Sequence, residues 1–296
     1  METSLYISNE KLIAARGQAA GSRIAVKAVA EAPLPAGSVL GGVITDEAAF
    51  STALTQLANG FPGKLKGVRL VFNSSQFYVK RVTMPKLPKK KLLGLVQDEF
   101  TDISGDDGGE LIYDCMTLRD STAAKGNTVL ACAARQSLIA SYATLFAAAG
   151  IKLSGIDTTH AALIKLADRL FAPDSTFIVL ALDGSMLDAT LFVNNCYRFN
   201  NRVRLMSERG TAEGVAEVSR MVSSIIQFNT SERSGQSIGN VYVVGARESE
   251  LPLLDSLATA YDIPAAMLSD TRGAVSMPEG ALALSECAFA VGNLVI

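Results

Sequence analysis

Apolar and polar positions follow the same order in two separate stretches of the chain. Residues 177–182 form an unbroken apolar run that ends on Asp183-Gly184-Ser185. A second apolar run reaches Val193, Asn194-Asn195 interrupts it, and Tyr197-Arg198-Phe199 follows. Strand-length runs divided by turn residues predict a three-stranded meander, and Asn tolerates the positive φ of a primed hairpin turn. The layout recurs at the N-terminus, with strands predicted at 4–8, 11–16 and 23–30 and turns at 8–10 and 17–22. Each meander leads into a helix and a further strand. In the first half these are 46–59 and 67–73; in the second they are 211–229 and 241–244, with another helix at 249–261. Three strands, a helix and a strand, repeated once, predict mixed sheets with helices outside them and two lobes around a cleft. The halves share this pattern and not their residues.

A different rhythm separates the halves. Residues 77–83 alternate as a strand, and Met84-Pro85-Lys86-Leu87-Pro88 breaks it. Leu92, Leu93, Leu95, Val96 and Phe100 then fall at helical spacing within 89–101. An acidic, Gly-rich loop at 102–109, expected to be exposed and mobile, precedes strands at 111–118 and 127–134 around a polar turn. Helix 136–149 and strand 152–157 close the segment. The order β-α-β-β-α-β predicts a compact, ferredoxin-like module. The expected division is therefore a first lobe at 1–76, an inserted subdomain at 77–157, a helix at 158–172 returning to the first lobe, and a second lobe at 173–296.

Composition narrows the function. With 296 residues, 49% hydrophobic and 19% charged, the chain is long enough for more than one core and apolar enough to fill them. A net charge of −2, no Trp and 6% aromatic residues argue against nucleic-acid binding. No run reaches the roughly 18 uncharged apolar residues of a membrane helix. The nearest, 136–151, is amphipathic and stops at Gly150, and residues 1–21 lack the basic start and apolar core of a secretory signal. A cytoplasmic protein is expected. The apolar run 287–296 is expected to be the last core helix; its other reading is a stretch preceding a membrane segment in a longer chain.

Candidate chemistry is sparse. Cys115, Cys132, Cys196 and Cys287 lie far apart in apolar contexts, without CxxC or Cys–His spacing, and are expected to be buried free thiols. His160, the only histidine, follows Asp157-Thr158-Thr159 at a predicted helix start with no partner for a metal or a triad. No metal site is expected. No acid–base pair or activated nucleophile stands at a defined spacing, so no catalytic residue is assigned and binding is expected instead of chemistry. Lys86, Lys89, Lys90 and Lys91 crowd the start of the helix at 89–101 and oppose its dipole. They read either as a solvated edge or as a docking edge for an acidic segment or lipid headgroups.

Short motifs along nearly the whole chain resemble the PilM family of actin-like cytoplasmic components of type IV pilus machines, related in fold to FtsA. Residues 79–85 (VKRVTMP), a helix carrying Asp98-Glu99 and a strand with Tyr113-Asp114 resemble the family's inserted subdomain. Residues 223–228 (SSIIQF), 241–246 (VYVVGA) and 251–257 resemble its closing helix, strand and adenosine-side loop. The resemblance implies an actin-like (RNase H-like) two-lobed α/β fold with an inserted β-α-β-β-α-β subdomain. For family members that bind ATP with Mg²⁺ it points to Asp183, Gly184, Ser185, Gly245 and Ala246 as the nucleotide site; the other reading of these residues is plain tight turns, and no cofactor is expected. The cytoplasmic part of type II secretion GspL proteins shares this architecture and is an alternative, as is a periplasmic-type binding protein for the fold.

The chain also departs from the family pattern. ATP-binding members carry Asp-x-Gly in both phosphate hairpins, the carboxylate holding hydrated Mg²⁺ and the turn N–H groups holding phosphate. Residues 5–12 (LYISNEKL) have neither that Asp nor that Gly, and Asp183 directly precedes Gly184, one residue out of register. Gly245 is followed by Ala246 where consecutive glycines are usual, and 210–213 runs directly into the next helix, so an extra subdomain of the second lobe is expected to be missing. A degenerate adaptor is therefore favoured over an active ATPase of the same machine. The resemblance further implies that a cleft between first lobe and insert receives the cytoplasmic tail of PilN, an inner-membrane protein, with other pilus components as further partners and a peripheral location at the inner membrane. By position, that cleft is expected to be lined by Phe77, Val79, Arg81 and Met84, with Leu92 and Val96 from the adjoining helix.

Overall fold

The computed structural model describes residues 1–103, 109–119, 126–232 and 235–296. The first half runs β1 (Glu2–Ile7), β2 (Lys11–Ala20), β3 (Arg23–Pro33), a small hairpin of β4 (Val39–Leu40) and β5 (Val43–Ile44), α1 (Glu47–Gly60) and β6 (Val68–Phe72). The middle follows as β7 (Phe77–Met84), α2 (Lys89–Asp98), β8 (Leu111–Thr117), β9 (Asn127–Arg135), α3 (Gln136–Ala148), β10 (Leu153–Thr158) and α4 (Thr159–Leu170). The second half has β11 (Phe177–Asp183), β12 (Met186–Val193), β13 (Cys196–Arg204), α5 (Ala212–Ser231) and β14 (Asn240–Val244). A 3-10 turn at Glu248–Glu250, α6 (Pro252–Tyr261), β15 (Ala265–Met267), β16 (Val275–Ser276) and α7 (Leu284–Gly292) complete it.

Local chemistry accounts for the boundaries. Asp46 caps α1 by accepting the Ala49 N–H, and Thr158 and Thr211 do the same for α4 and α5. Asn194 and Asn195 sit at φ +51° and +52°, the left-handed pair that a primed hairpin turn between β12 and β13 requires. The helix expected at 249–261 is split: the 3-10 turn comes first, and α6 starts at Pro252, whose ring is pre-set for a first helical position.

Two sheets face each other across the molecule. The first has strand order β10-β6-β1-β2-β3-β16 and the second β13-β12-β11-β14-β15. In both, an antiparallel meander is extended by parallel strands that arrive through helices. Between the sheets lie α4 and α7, in a shared core with Tyr6, Ile13, Val71, Phe177, Val179 and Phe192. Separate cores cover the outer faces: α1 and α3 on the first sheet, α5 and α6 on the second. The apolar C-terminal run is thus a core helix, as expected, with residues 287–292 all buried.

The middle segment keeps its order of elements but not its closure. β7, β9 and β8 form their own three-stranded sheet, and α2 packs on it through Leu92 and Val96, with Phe100 just beyond the helix. The strand expected to close this module, β10, instead pairs in parallel with β6 in the first sheet. Helix α3 also belongs to the first lobe: Tyr142 and Phe146 pack with Phe50 and Phe72, and the Tyr142 hydroxyl donates to the Gly42 carbonyl at 3.0 Å. The part of the insert with a sheet of its own is therefore β7-α2-β8-β9. The acidic loop expected to be mobile falls largely at 104–108, outside the described residues, as does the polar turn at 120–125.

Candidate functional site

The β1–β2 turn and the β11–β12 turn meet tip to tip. Asp183 ends β11 with its carboxylate directed across the cleft. Its Oδ1 accepts the Asn9 backbone N–H at 2.8 Å, its Oδ2 accepts the Asn9 amide at 2.9 Å, and that amide also donates to the Asp183 carbonyl at 3.3 Å. Asn9 is itself fixed, its Oδ1 accepting the Gly41 N–H at 3.0 Å. Gly184, at φ +58°, lies so close that a Cβ there would stand 3.3 Å from the Asn9 Cβ. Burial pushes the Asp183 carboxyl up to about 6, against the Asn9 N–H that favours its ionised form. Tyr6 beside it is driven well above its ordinary value, by burial first and then by the negative charges of Asp183 and Asp188.

Charged side chains extend the contact on both sides. Arg209, on the loop between β13 and α5, is buried and grips Glu250 with its Nε and Nη2 at 2.7 and 2.5 Å. The same guanidinium donates to the carbonyls of Gly184 (3.2 Å) and Gly245 (2.8 Å), and lies 3.9 Å from Glu10 of the first lobe. Burial alone would raise Glu250; the Arg209 fork and the Arg247 N–H bring it below its ordinary value. Arg247 pairs with Glu10 across the cleft. On the far side of Asp183, Asp188 accepts from Asn73 of the first lobe at 2.6 Å and from Asn200 at 2.8 Å, with Arg202 at 3.5 Å.

Asp183, Gly245 and Ala246, three of the five residues assigned to a nucleotide, lie side by side in the structure. With Tyr6, Ser8, Lys11, Arg247 and Phe289 they line a cavity of about 230 Å³. Ordinary small-molecule pockets hold about 300–1,000 Å³. Gly245 is held at φ +73° with its Cα so near β11 that a Cβ would meet the Leu182 carbonyl oxygen at 2.3 Å, which restricts the position to glycine. Ser185 is exposed on the turn, where its carbonyl accepts the Leu205 N–H.

The six residues assigned to a partner groove do not line one surface. Met84, Leu92 and Val96 are buried in the insert's own core, because the α2 stripe at helical spacing is the face that covers the small sheet. Phe77 is buried in the first-lobe core, its ring 4.9 Å from Phe72. Val79 and Arg81, two apart on β7, share the face turned to the second lobe, Val79 against the inter-lobe core and Arg81 beside Leu191, Val193, Arg198 and Phe228. That groove is corrected accordingly. His160 stands edge-on to Tyr197 near the start of α4. All four cysteines are free; Cys287 is buried and the other three only partly so. Burial pushes Cys132 and Cys287 up to about 12, which removes them as nucleophiles at neutral pH.

Asn9, Arg209, Asp188 and Asn73 carry the cleft and were not singled out by sequence. Asn9 had only turn composition to mark it and Asn73 stood at the end of a predicted strand, and their partners lie 174 and 115 residues away.

No family model matches the sequence, and no curated protein matches it. Solved structures do. The chain is similar to a chain of the PilM-PilN type IV pilus biogenesis complex, with a TM-score of 0.78 at 19% identity over 99% of this chain and 97% of that one. It is also similar to a protein of Bacteroides thetaiotaomicron with an actin-like ATPase fold (TM-score 0.56, 9% identity, 90% of each chain). The ethanolamine utilization protein EutJ of Carboxydothermus hydrogenoformans gives a TM-score of 0.55 at 8% identity over 99% of this chain and 89% of that one. Facing sheets built on repeated meanders, two hairpin tips at one cleft and this likeness over almost the full length together give the chain a PilM-like, actin-like ATPase fold.

Proposed function

We propose that the chain is a cytoplasmic scaffold of a type IV pilus assembly machine, held at the inner membrane by capturing the tail of a PilN-like membrane protein. The observation that carries this reading is the likeness to the PilM-PilN complex along nearly all of both chains. No helix among the described residues is long and apolar enough to cross a membrane, so attachment through a partner suits the reading.

The scaffold works with degenerate or no ATP turnover. In an actin-like cleft the hairpin N–H groups face phosphate; here the Asn9 N–H faces the Asp183 carboxylate, an anion supplied by the chain itself. Magnesium phosphate entering the cleft would have to displace Asn9 from that carboxylate and separate Glu10 from Arg247. Titration calorimetry tests both halves of the reading in one protein sample. The cytoplasmic tail of the PilN-like protein from the same cell is expected to bind at about micromolar affinity, and ATP with Mg²⁺ to give no saturable heat. A tail that does not bind overturns the scaffold. Tight Mg²⁺-dependent ATP binding, weakened by Asp183→Ala, overturns the degenerate cleft in favour of an active ATPase.

A further inference from the structure

The surface of the insert carries a charge pattern that neither the cleft nor the scaffold reading uses. Lys86, Lys89, Lys90 and Lys91 stand within six residues and all are exposed, in a chain whose net charge is −2. Lys89 is paired with Asp114 at 2.7 Å; Lys86, Lys90 and Lys91 have no acidic partner among the described residues. The acidic residues of this stretch, Asp98 and Glu99, stand at the far end of α2. Two leucines are exposed amid the lysines: Leu87 by 37% and Leu95 by 36%. Leu92 and Val96 take the inner face of α2, and Lys91 and Leu95, four residues apart, lie one above the other along its flank.

We propose that residues 86–91 and this flank of α2 form a docking surface for an anionic lipid bilayer. A cluster of lysines answers the negative surface of such a bilayer, and apolar tips among them enter its headgroup layer while the long lysine stems keep their charges at the surface. A purely acidic peptide would meet the lysines but leave Leu87 and Leu95 in water, which favours the bilayer. The surface is independent of the pilus reading: it stands or falls by lipid alone.

Flotation of the intact chain with vesicles tests it. Phosphatidylcholine vesicles containing about 30 mol% phosphatidylglycerol are compared with pure phosphatidylcholine, at low salt and at about 0.5 M. Binding is expected on the anionic vesicles only, and is lost at high salt. Lys86→Gln/Lys90→Gln/Lys91→Gln should weaken it at least about tenfold. Leu87→Ser/Leu95→Ser should weaken it several-fold with the salt dependence retained. All five positions are exposed, so melting temperature serves as the control for folding, and Lys90→Gln/Lys91→Gln replaces the triple variant if that one fails to fold. Equal binding to neutral vesicles, or no loss in the lysine variants, overturns the proposal. So does a leucine pair without effect, together with lysine-dependent binding to soluble polyglutamate.

Discussion

Asp183 occupies two positions at once: it ends a core strand and it is the acceptor for the opposite lobe. Its carboxyl is raised to about 6 in the folded chain and titrates near 4 when unfolded. A raised carboxyl holds its proton longer in the folded state, so its contribution is complete below pH 4 and is lost as pH rises through 6. Asp183→Asn keeps an oxygen for the Asn9 N–H and has nothing to ionise. The stability difference between variant and wild type, read from urea unfolding, should therefore shift by roughly 2 kcal/mol in the variant's favour between pH 4 and pH 7. Parallel pH profiles would show that Asp183 meets no such burial. Other acids contribute their own slopes, Glu250 and Asp270 being lowered and Asp168 raised, which is why the difference between the two proteins is the quantity to read.

At the scale of elements, Arg209 joins pieces that sequence keeps apart: the β11–β12 turn through Gly184, the end of β14 through Gly245, and the 3-10 turn through Glu250. Removing the guanidinium strands a buried carboxylate, so Arg209→Met should cost about 3–5 kcal/mol in denaturant unfolding, with part of the loss recovered by adding Glu250→Leu. Arg209→Lys should recover little, because an ammonium cannot fork to both carboxylate oxygens and still reach two carbonyls. A loss below 1 kcal/mol in the single variant would contradict a buried fork. The elements themselves were legible wherever periodicity and caps agreed. Asp46 marks the start of α1, Asn194-Asn195 the β12–β13 turn, and the spacing of Leu92 and Val96 the helix α2 itself, though not what its apolar stripe covers. What spacing left unread was which sheet a strand joins. β10 follows the insert in sequence yet pairs with β6, and β16, two residues long, returns from the second half to lie beside β3. Both pairings are decided by tertiary contacts that no local pattern encodes. The cleft was half legible for the same reason. Asp183 and Gly245 announced a turn, but the loss of Asp and Gly from the first hairpin read only as an absence until Asn9 was found bonded to Asp183.

Over the whole molecule, α7 acts as the key between the lobes. It packs in the shared core with Tyr6 and Phe177, and just beyond it the Asn293 amide donates to Ser4 Oγ at 3.1 Å and to the carbonyls of Arg69 and Leu70 at 3.3 Å. Since a C-terminal residue thereby closes the N-terminal sheet, both lobes should unfold in one cooperative transition, coincident by far-UV dichroism and tyrosine fluorescence. Asn293→Ala should lower that transition by about 1–3 kcal/mol without splitting it. Two resolved transitions, or a stable fragment 173–296, would show lobes that fold alone. The insert joins this closure along one edge, where Leu118, Leu130 and Val79 meet the shared core and Arg81 faces the second lobe. Its first and last strands, β7 and β9, are antiparallel neighbours, with Phe77 directly opposite Ala134. Both residues lie in the first-lobe core, so the chain leaves that lobe and returns to it through a single doorway two strands wide. A segment attached in this way is a cassette. Descent can lengthen it or rewrite its outer face while the hairpins and α7 keep their places, provided the edge that carries Leu118 and Leu130 still fits the shared core. The lineage of the cleft and the lineage of whatever the cassette's outer face touches are thus free to diverge.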